Sequence, residues 1–378
     1  MNDNQTLLKL EVGTFATSFK TVFKHSSTAR STTENIIVRV SDQTGCLGYG
    51  EGCPRDYVTG ETTDSAKQFI NKYGPDLIKN IKNVKELGLW INENETHIDS
   101  NPAAFCALEL ACLDYFGRKS SKSIEEVLGL QNSQSSFQYS AVLGDSRPII
   151  FFLQLARYRI VGFKHYKFKL SGDLKRDLSK SWWFKNRIGN IVAESVRVDA
   201  NNHWADTQEA AQHIEALDLD LLGVEEPLEA NNLEGFLQVA ALSNSKIILD
   251  ESLLRNNQIS NLPGDQSNWI FNCRISKSGG LIRSLKMINA AKAKGIGIIV
   301  GAHVGETSIL TRAALAAVIA SEDNLIAQEG AFGTKLLEND ICSESIMFSK
   351  AGILKIDLSK GEGLGIDINQ DLISFYKD

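Results

Sequence analysis

Five charged residues lie near the ends of four successive apolar segments of the chain. Lys167 and Lys169 end the first segment. Asp199, Glu225 and Asp250 end the next three. If these segments are parallel strands, their carboxyl ends open onto one mouth and the three carboxylates converge there. Like charges in a partly dry mouth repel each other, and a hard cation such as Mg2+ removes that cost. The three acids together therefore predict a metal site, although a single acid at a strand end is more often a helix cap or a surface group.

The two lysines indicate proton transfer beside that cation. Alternate residues of a strand share a face, so Lys167 and Lys169 point the same way. A lysine close to other positive charge has a lowered pKa and can act as a base near neutral pH. A metal bound to a substrate carboxylate stabilises the anion that forms when the α-proton leaves. The set is therefore typical of an enzyme that removes the α-proton of a carboxylic acid.

Strand and helix candidates alternate from about Phe137 onward, and these elements must position the charged residues. Helical stretches such as DTQEAAQHIEAL and ETSILTRAALAAVIASE separate the short apolar segments. The alternation predicts an α/β fold with a parallel sheet covered by helices, and eight strands are the number that closes a (β/α)8-type TIM barrel. An open doubly wound sheet is the alternative, but its GxGxxG phosphate fingerprint is absent. The predicted strands are 137–144, 165–172, 195–202, 221–228, 246–253, 269–276, 295–304 and 325–330.

A separate α+β capping domain is predicted before the barrel. The first 60 residues contain short β-branched and apolar runs bounded by turn residues, which indicates strands. From about Thr62 to Leu130 the apolar period becomes helical. The stretch after Leu354 is short and is expected to pack back on the first domain. We therefore predict a capping domain of residues 1–130, completed by residues 355–378, and a barrel of residues 131–354.

The composition argues against several classes of protein. A net charge of −6 gives no electrostatic reason to expect nucleic acid or a membrane surface as a partner. No apolar run approaches the roughly 20 residues that span a bilayer. The N-terminus lacks the pattern of a secretory signal, so the six cysteines are expected to be buried free thiols and the expected location is cytoplasmic.

Four short motifs at the strand ends resemble, in chain order, those of a known family. They are KFK (167–169), DAN (199–201), EEP (225–227) and DES (250–252). The set resembles the enolase superfamily, of the mandelate racemase/muconate lactonizing enzyme type, and within it the muconate-lactonizing subgroup, which includes muconate cycloisomerases, dipeptide epimerases and o-succinylbenzoate synthases. The resemblance implies a Mg2+ site, with Mn2+ as the alternative cation, at Asp199, Glu225 and Asp250. It also implies that Lys169 is the base, that Lys167 lowers its pKa, and that the protein is a homo-oligomer acting on a small-molecule carboxylate.

The resemblance extends into the capping domain. The stretch AAFCALELACLDYFGRKSSKSIEEVLGL resembles the helix pair that leads into the barrel. YVTGET (57–62) resembles the loop that closes over the substrate, with Tyr57 and Thr59 as its candidate contact residues. The loops near Phe23–Thr33 and Arg55–Thr62 are expected to set substrate specificity.

One position departs from the family pattern. The subgroup has a second lysine at the end of the sixth strand, where this chain has Arg274. Arginine has a pKa above about 12 and is a poor proton acceptor, although it can hold a carboxylate or stabilise an anion. Lys277 is the alternative base and is otherwise expected to be a solvated turn lysine. Racemisation and epimerisation need one base on each face of the α-carbon, so the arginine argues against them.

Three functions therefore stay open. The leading expectation is an isomerase that needs one base, such as a cycloisomerase. The second is a lyase that dehydrates a hydroxy acid or an acid sugar, for which His303 or Glu329 would be the general acid. Without that role, the histidine would be a packed or capping residue and the glutamate a loop-end carboxylate. The third is a metal-binding barrel that lost catalysis through Arg274 and binds an acidic ligand, but a binding protein would not need paired lysines.

Overall fold

The chain begins with an antiparallel sheet of three long or medium strands. They are β1 (Lys9–Lys24), β2 (Ala29–Ser41) and β3 (Leu47–Gly52), paired in that order. This computed structural model describes residues 8–24, 29–131, 134–187 and 195–376. The specificity loop expected near Phe23–Thr33 therefore falls partly outside the described residues, at 25–28.

A group of helices follows the sheet and completes the N-terminal α+β region. They are α1 (Asp56–Thr59), α2 (Thr63–Asn80), α3 (Val84–Glu93), α4 (Glu95–Asp99), α5 (Pro102–Ser120) and α6 (Ile124–Val127). Helix α5 lies directly on β3 because glycines alternate along that strand. A Cβ atom on Gly48, Gly50 or Gly52 would come within 2.0–2.3 Å of a backbone carbonyl oxygen of α5. Only glycine allows the helix to approach the strand so closely.

An eight-stranded parallel sheet forms the second part of the fold, with its strands adjacent in chain order. After a short strand β4 (Ser136–Gln138), they are β5 (Ala141–Leu143), β6 (His165–Lys169), β7 (Ser195–Asp199), β8 (Gly223–Glu225), β9 (Lys246–Leu249), β10 (Trp269–Cys273), β11 (Gly297–Val300) and β12 (Leu325–Gln328). The Ser140 N–H donates to the Gln328 carbonyl oxygen at 2.8 Å, which links the two ends of the sheet. The predicted TIM-barrel fold is confirmed, although each strand is shorter than predicted. Strands β6, β7 and β8 end at the charged residues of the mouth, and the first predicted strand, 137–144, divides into β4 and β5.

Helices cover the outside of this sheet. Within the described residues they are α7 (Pro148–Val161), α8 (Leu174–Arg187), α9 (Thr207–Ala216), α10 (Leu233–Ser243), α11 (Asn256–Ser260), α12 (Leu281–Ala293) and α13 (Ser308–Ala320). None of the described helices is long and apolar enough to cross a membrane. All six cysteines are free and five of them are buried, as the sequence predicted, while Cys46 is half-buried.

The C-terminal segment returns to the first sheet. Strand β13 (Ile353–Lys355) pairs with β4, and β14 (Ser374–Phe375) pairs antiparallel with β1. The domain boundaries after residues 130 and 354 stay predictions.

Two buried glutamates of the N-terminal region cap helices of the barrel. Glu51 on β3 accepts hydrogen bonds from the Thr307 hydroxyl at 2.7 Å and the Leu310 N–H at 3.1 Å, at the start of α13. Glu109 on α5 accepts from the first two N–H groups of α12, including that of Ile282 at 3.0 Å. The carboxyl oxygens of the two glutamates satisfy these otherwise unpaired backbone donors. The two acids therefore tie the first sheet and its helix to the barrel.

Glu109→Gln is expected to reduce the slope of the free energy of unfolding against pH. Burial raises the pKa of Glu109 to about 8 and that of Glu51 to about 7, from an ordinary value of 4.5. Between pH 4.5 and these raised pKa values, the folded protein binds more protons than the unfolded chain. The free energy of unfolding should therefore fall as the pH rises through this window, by at most about 1.4 kcal/mol per pH unit for each acid.

Urea unfolding across this pH range measures the slope for the wild-type protein and the variant. Glu344 is exposed, and Glu344→Gln should leave the slope unchanged. A slope that is the same in Glu109→Gln as in the wild type would show that this acid does not titrate differently on folding.

Candidate active site

Strand register brings the charged residues together at one end of the barrel. Lys169 lies opposite Asp199, and Asp199 lies opposite Glu225, in the pairing of β6, β7 and β8. Asp250 directly follows β9, whose Ile248 lies opposite Glu225. Because parallel strands end at the same edge, four of the five charged side chains that the sequence singled out meet at the mouth.

Lys167 lies one layer deeper, between two glutamates. Its Nζ is 2.9 Å from Glu225 Oε2 and 2.7 Å from Glu329 Oε2. The other oxygen of Glu329 is 2.6 Å from Nη1 of the buried Arg197. Burial alone would lower the pKa of Lys167, but Glu225, Glu329 and Asp199 outweigh burial and raise it. Lys167 is therefore a fixed ammonium group.

The sequence analysis did not identify Arg197 as a site residue, although its position on the strand indicates that role. It lies two residues before Asp199 on β7 and so shares its face, by the same alternation that links Lys167 to Lys169. Its Nη2 also donates to the Ser140 hydroxyl at 2.7 Å, near the seam between the first and last strands. Arg197 therefore holds Glu329 in place at the floor of the site.

Lys169 is the more exposed of the two paired lysines and is held by an asparagine. Its Nζ is 2.7 Å from Asn201 Oδ1 and 3.3 Å from Asp199 Oδ2. The amide of Asn201 donates in turn to Asp199 Oδ1. Asn201 has a φ of 50°, a left-handed conformation that asparagine adopts more readily than most residues. The DAN motif thus supplies both an acid and the amide that orients the candidate base.

Asp250 is bound by two cationic side chains. Arg274 Nε donates to its Oδ1 at 2.9 Å, and Nη2 pairs with Oδ2. Lys277 donates to the same Oδ1 at 2.8 Å, and to the carbonyl oxygens of Asp250 at 2.7 Å and Asn272 at 2.8 Å. Although burial opposes it, these cations hold the pKa of Asp250 well below its usual range.

The expectation of a solvated turn lysine at position 277 is wrong. The side chain of Lys277 is fully buried, although the residue does lie in the turn after β10. The turn folds back toward the barrel, where Asp250 and two carbonyl groups satisfy all three ammonium protons. Position in a turn therefore did not predict exposure here.

The two neighbouring acids, Glu226 and Glu251, bind the backbone, a serine hydroxyl and an arginine. Glu226 accepts from the Asp250 N–H at 2.6 Å and from the Ser252 hydroxyl at 2.7 Å, so it fixes the loop after β9. Burial and the nearby Glu251 raise the pKa of Glu226 to about 7. Glu251 itself lies 3.4 Å from Arg274 Nη2.

The three mouth carboxylates face cationic side chains of the protein. Among the residues that the structure describes, no group of three His, Cys, Asp or Glu side chains is placed to hold a metal ion as it stands. The three acids nevertheless act on each other: after burial, Asp199 and Asp250 are among the causes that raise the pKa of Glu225. Buried carboxylates from adjacent strands are the donors that Mg2+ prefers, so the donor set fits a divalent cation in chemistry. The metal assignment stays a prediction.

The two candidate general acids have different surroundings. Glu329 is held between Lys167 and Arg197, which lower its pKa against the effect of burial. His303 is buried, and burial together with Arg274 and Arg55 places its pKa well below the usual range. Glu329 is therefore an anion and His303 a neutral imidazole at neutral pH, and neither state favours donation of a proton to a leaving group.

The predicted substrate loop begins beside the barrel. Tyr57 and Thr59 are half-buried in the short helix α1. The preceding residue, Arg55, is buried and donates to the Val304 carbonyl oxygen at 3.2 Å, in the loop after β11. The segment thus approaches the mouth from the capping side, and the contact of Tyr57 and Thr59 with substrate stays a prediction.

A parallel eight-stranded barrel with acids and lysines gathered at one mouth defines a class of acid–base enzymes built on the TIM-barrel fold. The chain belongs to the enolase C-terminal domain-like family, whose model matches residues 152–372. The predicted resemblance to the enolase superfamily is therefore confirmed.

Known proteins resemble this chain over most of its length. It is 26% identical over 350 residues to the N-succinyl-L-Arg/Lys racemase of Bacillus cereus, covering 90% of this chain and 89% of that protein. It is 23% identical over 357 residues to muconate cycloisomerase 1 of Acinetobacter baylyi, covering 92% and 93%. The structure of a dipeptide epimerase from Enterococcus faecalis, complexed with Mg and the dipeptide L-Leu-L-Tyr, superposes with a TM-score of 0.80 at 24% identity, covering 96% and 99%. These relatives are isomerases, and the prediction of an enzyme of that class is confirmed.

Lys277→Met is expected to destabilise the fold by about 3 kcal/mol. Removing one member of a buried ion pair typically costs about 3–5 kcal/mol, and the low end applies because Arg274 still pairs with Asp250. Denaturant unfolding at neutral pH measures the change. Lys360 is 84% exposed and pairs with Asp357, so Lys360→Met is the matched control and should change stability by less than about 0.5 kcal/mol. Equal effects of the two substitutions would refute the structural role of Lys277.

Proposed function

We propose that this enzyme isomerises a small carboxylic acid by a reaction that needs one base, such as cycloisomerisation, with Lys169 removing the α-proton. A divalent cation, Mg2+ or alternatively Mn2+, would be held by Asp199, Glu225 and Asp250. Relatives named as racemase and cycloisomerase support isomerisation in general, the cycloisomerase is an example of the one-base reaction, and the Mg in the dipeptide epimerase complex supports the cation. Cytoplasmic location and self-association stay predictions from the sequence.

The positions of Lys169 and Arg274 carry this proposal. Lys169 ends β6 and Arg274 follows β10, and these strands lie four apart in an eight-stranded sheet. The two side chains therefore face the mouth from opposite sides, with the carboxylates on the strands between them. A lysine can take a proton and an arginine cannot at any ordinary pH. The site thus has a proton acceptor on one side and a permanent cation on the other.

Each side chain has a distinct task in such a reaction. A divalent cation, when bound, supplies positive charge to the substrate carboxylate, whose negative charge grows as the α-proton leaves. Lys169 Nζ accepts that proton, and Asn201 orients the amine through its 2.7 Å hydrogen bond. Arg274 stabilises developing negative charge from the far side, and Lys167 stays protonated between its two glutamates.

The surroundings of the candidate acids favour isomerisation over dehydration. Dehydration needs a proton donor for the leaving hydroxyl group. Glu329 is paired with two cations that lower its pKa, and burial and nearby cations lower the pKa of His303, so neither side chain is a good proton donor for the leaving group.

Lys169→Ala should reduce exchange of the substrate α-hydrogen with D2O by roughly a thousandfold, because a positioned general base contributes about 10²–10⁴ in rate. Proton NMR of a library of dipeptides, N-acyl amino acids, acid sugars and proline derivatives, with Mg2+ present, measures the exchange. Lys175 is exposed on α8, and Lys175→Ala should exchange at the wild-type rate. Undiminished exchange in Lys169→Ala would exclude this base, and no exchange of any acid by the wild type would favour a binding-only protein.

Arg274→Lys is expected to add inversion of configuration at the α-carbon, because it places a titratable amine opposite Lys169. Chiral chromatography of a substrate that exchanges in D2O should show retention with the wild-type enzyme and a mixture of isomers with the variant. Arg274→Met lacks both the charge and the base, and should show slow exchange and no inversion. Rapid two-way inversion by the wild-type enzyme would overturn the one-base mechanism.

A further inference from the structure

Helix α8 carries a lysine, Lys180, whose fully buried side chain reaches the end of β6. Its Nζ donates to the backbone carbonyl oxygen of Lys169 at 2.9 Å. The same Nζ donates to Asp145 Oδ1 at 2.8 Å and to Asp177 Oδ1 at 2.9 Å. These acceptors satisfy all three ammonium protons, and two of the acceptors carry negative charge. Lys180 is therefore fixed in place with one proton bound to the backbone of the candidate base.

The carbonyl group of Lys169 lies where the neighbouring strand has already ended. Strand β5 ends at Leu143, which lies opposite Phe168, so in the described sheet β5 does not extend beside Lys169. On the other side of β6, Lys169 lies opposite Asp199 of β7. Backbone carbonyl groups away from water need a donor, and a sheet normally supplies it from the next strand. Lys180 supplies the donor that β5 does not provide.

Asp177 holds the turn that follows Lys169 and holds Lys180 at the same time. Its side chain is fully buried and accepts from the Ser171 N–H at 3.0 Å and from the Gly172 N–H at 3.1 Å. His213 Nε2 of α9 lies 3.1 Å from the other carboxylate oxygen. Although burial opposes it, His213 and Lys180 lower the pKa of Asp177 to about 2, so the group is an anion at neutral pH. The buried ion pair thus fixes the backbone on both sides of the end of β6.

We infer that Lys180 is a positioning residue for Lys169: it fixes the strand end from which the base projects and so directs Nζ toward Asn201 and the substrate. The inference rests on the proposed function, which makes Lys169 the base. Because Lys180 is fully buried and its three protons are bound within the protein, it acts through Lys169 and not on the substrate. A displacement of a reacting group by about 1 Å can cost on the order of a hundredfold in rate, so this hydrogen bond affects the reaction as well as the fold.

Two substitutions of Lys180 test the inference. Lys180→Met keeps most of the length of the side chain but has no donor and no charge, whereas Lys180→Gln keeps an N–H donor without the charge. Exchange of the α-hydrogen in D2O is measured with Mg2+ present, on the library acid that the wild-type enzyme exchanges fastest. Lys180→Met should lower kcat by about 10–100-fold and change KM by less than about twofold, and Lys180→Gln should recover part of kcat. If Lys180→Met does not fold, Lys180→Gln carries the same measurements.

Arg312→Met is the matched control for loss of stability. The side chain of Arg312 on α13 is 3% exposed and pairs with Glu125 of α6 at 2.6 Å, so this variant also removes one member of a buried ion pair. It should lower the urea midpoint by an amount similar to that of Lys180→Met, but it should exchange the same acid at the wild-type kcat. Equal loss of kcat in the two variants would show that reduced stability, and not the position of Lys169, explains the effect.

Crystal structures of the wild-type protein and the Lys180 variant give a readout that does not need turnover. Lys169 Nζ lies 2.7 Å from Asn201 Oδ1. In the variant this separation should exceed about 3.2 Å, the usual outer limit of an N–H···O hydrogen bond. An unchanged hydrogen bond, a wild-type kcat, or a raised KM with unchanged kcat would each overturn the positioning role.

The outcomes distinguish this inference from the proposed function. If Lys169→Ala loses exchange while Lys180→Met retains it, the positioning role fails and the proposed base stands. If Lys169→Ala retains exchange, or if no acid exchanges, the proposed function fails. The distance between Lys169 Nζ and Asn201 Oδ1 in the variant then decides by itself whether Lys180 holds the side chain of Lys169 in place.

Discussion

The convergence of buried carboxylates at the mouth of a parallel barrel is the constraint on which the rest of the site depends. Strand register places Asp199, Glu225 and Asp250 side by side, and an uncompensated buried charge is costly. A cationic side chain of the protein pairs with each carboxylate and offsets this cost. Lys169 and Lys167 pair with the first two, and the third takes both cations of the β10 end. The carboxylates need these cationic partners because the strands place three negative charges side by side.

The network has a lysine, Lys169, on one side of the mouth and an arginine, Arg274, on the other. Both side chains carry positive charge, but they differ in their ability to transfer a proton. Arg274 and Lys277 both compensate the charge of Asp250, but of these two side-chain types only lysine has a pKa that its surroundings can bring near neutral pH. With Arg274 on the far side, the mouth keeps a cation beside Asp250, and Lys169 is the proposed proton acceptor.

The sequence predicted the barrel and the gathering of charges because both follow from local patterns. Alternating segments gave the eight strands, and polar residues at their ends marked the mouth. Local patterns did not predict the contacts between residues that are far apart in the sequence. Arg197 shares a face with Asp199, but its partner Glu329 lies 132 residues away, directly after β12. Lys277 lies in a turn that looked solvated, and only the tertiary path of that turn buries it against Asp250.

The glutamates that cap α12 and α13 bear on how this architecture can evolve. Glu51 and Glu109 belong to the sheet and helix of the capping region, yet the helix ends they satisfy belong to the barrel. A capping region recruited from another protein would leave those N–H groups unpaired unless it carried acids at the same places. The two parts of the chain are therefore poor candidates for recombination as independent modules. Substitutions in the predicted substrate loop, Arg55–Thr62, would leave this shared capping intact.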